Sequence, residues 1–340
     1  MPRALRVLHL TNPHFLPPES DEGYTTQEIN LWKTDYDVVQ TLRDLGHEVA
    51  SLAVDDELGP IREAVEDLRP HIVFNLLEEF AGIPEFDQHV VSYLELLGVP
   101  YTGCNPRGLT LSRGKALSKK IVSYHRIRTP RFAVFPRGRK VRRPRRLALP
   151  LIVKSLTEEA SKGIAQASVV DDDDKLEARV RFMHESLDTD VIAEEFIEGR
   201  ELYVGVLGNT RLTVLPVWEL RFGELQDRAA TIATAKVKHD VAYQDRWKID
   251  HGPARDIDDA LRARIVKRSK RVCRILSMDG YARVDYRLDR EGRLYFLEAN
   301  PNPEIAWEEE FASAAEAAGI GYPDLIRRIV GLGLRRRPIV

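Results

Sequence analysis

Apolar positions along the chain change their period several times, and each change marks an element. Residues 5–10, 48–54 and 71–77 are short β-rich runs bounded by polar or turn-forming residues. Between them, 35–45 and 61–68 repeat apolar residues at helical spacing, the first ending at Gly46, a natural C-cap. A further helical stretch over 88–97 stops at Gly98. The alternation predicts a βαβαβ opening, half of a doubly wound parallel sheet. Its first turn lacks a Gly-x-Gly-x-x-Gly fingerprint, so a dinucleotide-binding reading has no support.

The middle reads as a helix over 115–125 followed by short strands at 132–135, 151–154 and 168–170. The acidic run Asp171–Asp174 opens a helical stretch ending near Ser186. Carboxylates at a helix N-terminus are favourable against the macrodipole, so this run calls for no metal. Strands are expected at 191–196, 202–207 and 211–218, then a long helix over 258–276 and a hairpin over 281–300. A closing helix over 322–332 precedes the basic tail Arg335–Arg337.

A chain of 340 residues has room for two or three domains with their own cores. Lys+Arg number 51 and Asp+Glu 53, so 51 − 53 gives a net charge of −2, which excludes a uniformly basic nucleic-acid binder. Seven of the ten residues 137–146 are basic, however. That segment reads as a solvated loop or as a local anion- or RNA-contacting arm, and composition leaves both open. Two distant cysteines, Cys104 and Cys273, provide neither a disulfide framework nor a zinc ribbon. The N-terminal apolar run is broken by Arg6 and His9, and no stretch approaches a membrane span. A cytoplasmic, soluble protein is expected.

The richest stretch is Tyr281-Ala282-Arg283-Val284-Asp285-Tyr286-Arg287-Leu288 and, after a polar turn with Gly292, Arg293-Leu294-Tyr295-Phe296-Leu297-Glu298-Ala299-Asn300. Pairing Leu288 with Arg293 would set Asp285 against Phe296 and Arg283 against Glu298. Arg283, Asp285, Glu298 and Asn300 would then project from one face, with Asp285 diagonal to Glu298. Two carboxylates and an amide suit a hard cation shared with substrate phosphates. The arginine suits a transferring phosphoryl group or a developing oxyanion. Spacing alone fits ordinary cross-strand salt bridges equally well.

Those strands, together with four further pieces, resemble the ATP-grasp superfamily and, within it, the D-alanine–D-alanine ligase family. The other pieces are Val73-Phe74-Asn75-Leu76-Leu77, residues 94–103 (LELLGVPYTG), Leu149-Pro150-Leu151-Ile152-Val153-Lys154, and residues 193–202 (AEEFIEGREL). The resemblance spans roughly residues 70–305. It implies an α/β, three-lobed fold: an N-terminal doubly wound lobe over 1–108, a central lobe over 109–192, and a C-terminal catalytic lobe over 193–332. The last two are α+β and clasp ATP between them. The implied reaction transfers the γ-phosphoryl of ATP to a carboxylate, and an amine attacks the acylphosphate to give an amide, ADP and phosphate.

By matching position, the resemblance makes Lys115 and Lys154 phosphate-facing lysines, and Ser161 part of a lid loop capping the phosphates. Glu194, Phe196 and Ile197 fall in the adenine hinge, and Glu201 at the ribose hydroxyls. Lys236 is a further phosphate lysine. Asp285, Glu298 and Asn300 match ligands of Mg²⁺, with Mn²⁺ as a substitute, and Arg283 matches the transition-state arginine. A homodimer using small-molecule or peptide carboxylates and amines is implied.

Departures fall where the amino-acid substrates would bind. The family's glycine- and serine-rich N-terminal motif is replaced by residues 12–19 (NPHFLPPE) and a polar segment to about Lys33. Its His-Gly is replaced by Glu78-Glu79, a serine by Ala160, and a Pro-Gly by Pro303-Glu304, with Glu308-Glu309 beyond. Carboxylate-gripping groups are lost and negative charge is added, so Glu78, Glu79 and Glu304 suit an amine-rich or cationic acceptor. The expected activity is an ATP-dependent carboxylate–amine ligase outside peptidoglycan synthesis. The alternatives are a genuine D-alanine–D-alanine ligase with a divergent N-lobe, and a non-catalytic nucleotide- or RNA-binding module.

Overall fold

The three apolar runs of the N-terminal third pair as one parallel sheet in the order β2-β1-β3, with β1 at Arg6–Thr11, β2 at Glu48–Ala53 and β3 at Ile72–Asn75. The fold is that of a computed structural model, which describes residues 4–156, 166–223, 243 and 246–336. Helix α1 (Thr26–Asp44) connects β1 to β2, and α2 (Gly59–Leu68) connects β2 to β3. On α1 the buried residues Asp35, Val38, Val39 and Leu42 recur at helical spacing. This helix begins well before the expected residue 35, so most of the stretch read as a polar segment is helical. A capping box starts it: the Thr25 hydroxyl accepts from Glu28 N at 3.3 Å, and the Glu28 carboxylate accepts from Thr25 N at 2.8 Å. Helices α3 (Asp87–Leu96) and α4 (Pro106–Arg113) complete this part.

Helix α5 (Lys115–Tyr124) leads into a four-stranded antiparallel sheet in the order β4-β7-β5-β6. Its strands are β4 (Phe132–Phe135), β5 (Leu151–Ser155), β6 (Val169–Val170) and β7 (Val191–Glu195), with α6 (Asp173–Leu187) between β6 and β7. Asp172 caps α6 by accepting from Lys175 N at 2.7 Å. The acidic run therefore serves the helix start, as expected.

The largest sheet runs β11-β10-β8-β12-β13, with β9 attached to β8. Its strands are β8 (Arg200–Leu207), β9 (Thr213–Val214), β10 (Trp218–Arg221), β11 (Asp250–Pro253), β12 (Tyr281–Leu288) and β13 (Leu294–Pro301). The single strand expected over 211–218 is two, β9 and β10, which pair with different parts of β8. Helices Asp259–Ile275 and Glu310–Glu316 pack against this sheet, and Tyr322–Leu334 packs against β3 and α1. Among the described residues, no helix is long and apolar enough to cross a membrane.

Apolar packing divides the molecule unequally. One core joins Leu8, Leu10 and Val73 of the first sheet to Val204, Val284 and Phe296 of the last. The four-stranded sheet keeps its own, built from Phe135, Leu151, Val153, Leu176, Val180 and Val191. Polar links reinforce the first union. Asn302 Oδ1 accepts from Cys104 N at 2.7 Å, and Asn105 N and Nδ2 each donate to Asp279 Oδ1 at 2.8 Å. Arg336 donates to Asp279 and the Tyr101 carbonyl at 3.2 Å, with its guanidinium 4.0 Å from the Tyr101 ring centroid. Gly280, at φ +70°, crosses so near Gly103 that a Cβ would lie 2.2 Å from the Gly103 carbonyl oxygen.

Candidate active site

Strands β12 and β13 bring the chemistry together, in a register that differs from the expected one. Leu288 pairs with Leu294, Asp285 with Glu298, and Arg283 with Asn300. The connection is one residue longer than expected because Asp289 ties it: its carboxylate accepts from Glu291 N at 3.1 Å and from Arg293 N at 2.7 Å. A bulge then leaves Leu297 without a cross-strand partner and shifts the ladder again. Asp285 and Glu298 are thus directly opposed rather than diagonal. The expected sharing of one face by Arg283, Asp285, Glu298 and Asn300 holds, because the two shifts together equal one side-chain period.

On that face Arg283 makes a bidentate pair with Asp285, at 2.8 and 3.0 Å, and reaches Glu310 at 3.3 Å. Its guanidinium lies 4.9 Å from the Tyr203 ring centroid. Burial opposes the arginine's charge, but Asp285 and Glu310 outweigh it and hold its pKa well above the usual value. Asn300 Nδ2 donates to Asp285 Oδ2 at 2.9 Å, which turns its own carbonyl oxygen toward other partners. Two opposed carboxylates and an amide oxygen form an all-oxygen donor set that fits a hard divalent cation completed by phosphate and water. Among the described residues, no three His, Cys, Asp or Glu side chains cluster to hold a metal without such help.

A second polar centre sits between the two antiparallel sheets. Glu194 on β7 and Lys154 on β5 share a face, with Lys154 Nζ 3.9 Å from the carboxylate. Lys119, absent from the expected site, is closer at 3.3 Å and is only 1% exposed. It also donates to the carbonyl of the bulged Leu297 and lies 5.8 Å from the Phe296 ring centroid. Burial dominates at Lys119 and lowers its pKa. At Lys154 burial acts the same way, but Glu194, Glu298 and Glu201 overcome it and the pKa rises. Lys119 lies one helical turn beyond half-buried Lys115 on α5, so that spacing was the available signal.

Glu201 is buried and engaged: it accepts from Arg287 at 2.6 Å and from the Tyr203 hydroxyl at 2.8 Å. Arg287, likewise unanticipated, also donates to the Gly199 carbonyl at 3.0 Å and lies 6.0 Å from the Phe196 ring centroid. Phe196 N donates to the Pro150 carbonyl at 3.0 Å, and Ile197 is half-buried beside it. Ser161 and Lys236 lie outside the described residues.

The expected acidic group divides. Glu78 and Glu79 follow β3 on a loop gripped by buried Asn12, which accepts from Glu78 N at 3.0 Å and donates to the Glu79 carbonyl at 2.9 Å. Glu304 lies beyond β13, near Glu309, Glu310, Lys33 and Arg283. Lys33 Nζ donates to the Trp307 carbonyl at 2.6 Å, and Trp307 N donates to Asp37 at 2.8 Å, so α1 forms one wall there. The basic arm is partly neutralised: Arg137 pairs with Asp188, and Arg143 pairs with Asp173 at 2.5 Å.

Comparison with known proteins gives the family. The family profile described as "D-ala D-ala ligase C-terminus" matches residues 120–331, more than half of the chain. The chain belongs to the D-alanine–D-alanine ligase family. It is 32% identical over 306 residues to an uncharacterised protein of Sinorhizobium fredii, y4sG, covering 88% of this chain and 87% of that one. A D-alanine–D-alanine ligase of Bordetella petrii is 35% identical over 243 residues, covering 70% of this chain and 69% of its own. The crystal structure of the D-alanine–D-alanine ligase of Bacillus anthracis complexed with ATP superposes with TM-score 0.73 at 22% identity, covering 98% of each chain. The VanG D-Ala:D-Ser ligase of Enterococcus faecalis gives 0.70 at 19% identity, covering 97% of this chain and 100% of that one. The ATP-grasp fold expected from the sequence is borne out, and so is an ATP-dependent ligase forming carbon–nitrogen bonds. Membership entails ATP, a divalent metal and small-molecule substrates.

Proposed function

We propose that this ligase phosphorylates a carboxylate with Mg²⁺-ATP and joins the resulting acylphosphate to an amine outside peptidoglycan synthesis. The observation that carries the reading is the single face of β12 and β13 bearing Arg283, Asp285, Glu298 and Asn300. Asp285, Glu298 and the Asn300 carbonyl hold the metal, for which Mn²⁺ can substitute; bound there, it neutralises phosphate charge. Arg283 releases part of its grip on Asp285 to meet the transferring phosphoryl group. Lys115 and Lys154 take phosphate oxygens from the central sheet, assisted by Ser161 and Lys236. Lys119 holds Glu194 in place at the adenine edge, where Phe196 and Ile197 form the apolar wall, and Glu201 takes the ribose hydroxyls. Catalysis by this set is positioning and charge neutralisation, without a protein nucleophile.

Glu78, Glu79 and Glu304 replace groups that would grip a free carboxylate, which supports an acceptor recognised through its amine. The protein acts in the cytoplasm as a homodimer. ADP release is measured with ATP, Mg²⁺ and pairs drawn from D-alanine, D-serine, the proteinogenic amino acids and aliphatic diamines. The expected result is ADP formation and an amide mass with a pair other than D-alanine with itself. ADP formation with D-alanine alone would overturn the substrate assignment, and none with any pair would overturn the ligase reading.

A further inference from the structure

Residues 300–306 present one side chain in an unusual way. Asn302, at φ +50°, is fixed to the N-terminal sheet's side by Cys104 N at 2.7 Å. Pro303, Ile305 and Ala306 are buried, the last two with no exposed surface, while Glu304 between them is exposed. The carboxylate is thus held out from a backbone pinned on both sides, four residues beyond Asn300 and near Arg283. We propose that Glu304 is the general base that takes a proton from the acceptor ammonium before it attacks the acylphosphate.

The surroundings fit that task. Partial desolvation, with Glu309 and Glu310 alongside, pushes the Glu304 carboxyl up to about 7, against the opposing pull of Lys33 from α1 and Arg283 from β12. Asp37 of α1 and Glu308 add negative charge behind Lys33. The group is therefore ionised enough at neutral pH to accept a proton and basic enough to hold it. In the step, an N–H bond of the acceptor's ammonium breaks and an O–H bond forms on Glu304. The freed nitrogen lone pair forms the C–N bond at the acyl carbon, the C–O bond to phosphate breaks, and the second N–H proton leaves with the phosphate.

The proposal rests on the ligase reading, and one nucleophile separates the two. Hydroxylamine is already neutral at pH 7, so it needs no base to attack an acylphosphate. Wild-type and Glu304→Gln proteins are incubated with ATP, Mg²⁺ and the same acid and amine pool, with and without hydroxylamine, and amide and hydroxamate products are quantified. The variant is expected to lose about 100-fold or more in amide formation while hydroxamate formation changes by no more than roughly threefold. The wild-type amide rate should rise with pH through a limb near 7 that the variant lacks. Equal loss of both products, or loss of neither, overturns the base assignment. Hydroxamate without any amide from wild type overturns the amine acceptor and the assignment with it. Neither product from wild type overturns the ligase reading itself.

Discussion

Replacing Arg287 with Met tests how the nucleotide side of the site is held. Arg287 and Glu201 are an ion pair at 2.6 Å whose side chains are only 6% and 8% exposed. Removing the arginine leaves a carboxylate in a nearly dry site, still accepting from the Tyr203 hydroxyl at 2.8 Å. Two charges about 4 Å apart at an effective dielectric of 20 attract by ~4 kcal/mol, in line with the 3–5 kcal/mol that breaking a buried pair costs. The retained Tyr203 hydrogen bond offsets about 1 kcal/mol. A net loss of ~3 kcal/mol is expected, read as a lower urea midpoint at unchanged slope. The double variant Arg287→Met/Glu201→Leu removes both charges and should recover to within ~1.5 kcal/mol of wild type. A single variant within ~1 kcal/mol of wild type, or a double variant no better than the single, would refute the reasoning.

Glu298→Ala and Lys154→Ala are each expected to abolish ADP formation while leaving the melting temperature close to wild type; measurable turnover in either would sink the site assignment. Lys119→Met should instead lower stability by ~2–4 kcal/mol, because Glu194 and the Leu297 carbonyl lose a buried partner, and a thermal melt checks this. Gly199→Ala places a Cβ 2.0 Å from the Leu288 carbonyl oxygen at φ +147°, so a loss of more than ~2 kcal/mol is expected in the same melt. Chelation with EDTA should stop ADP formation without moving the circular-dichroism spectrum, and Mg²⁺ should restore it.

Most strands and helices were readable because their periods are strong, but boundaries and registers obeyed more local rules. The hairpin shows both. Alternation along 281–288 and 294–300 put Arg283, Asp285, Glu298 and Asn300 on one face, whereas the pairing partners depended on the Asp289 turn and the Leu297 bulge, which alternation does not encode. Helix α1 began nine residues earlier than its apolar period (35 − 26), because the Thr25–Glu28 capping box, not burial, starts it. The box was itself legible as Thr-x-x-Glu. The roles of Asn12, Lys119 and Arg287 are not legible in the sequence for a common reason. Each acts through a group far away in sequence: Glu78 and Glu79, Glu194, and Glu201. A lone polar residue does not announce its distant partner.

The short interval between Asn300 and Asn302 has a mechanical consequence. Two strand residues span only ~7 Å, so the amide facing Asp285 and the amide clasping Cys104 N travel as one piece. The apolar core uniting the first and last sheets stiffens that piece further. The four-stranded sheet keeps a core of its own and meets that piece through Lys119, which reaches both Glu194 and the Leu297 carbonyl. Asn300 and Asn302 thus belong to the stiffened piece, whereas Lys154 and Glu194 belong to the sheet with the separate core. Substitutions around Glu304 are therefore expected to leave the packing of the four-stranded sheet unchanged.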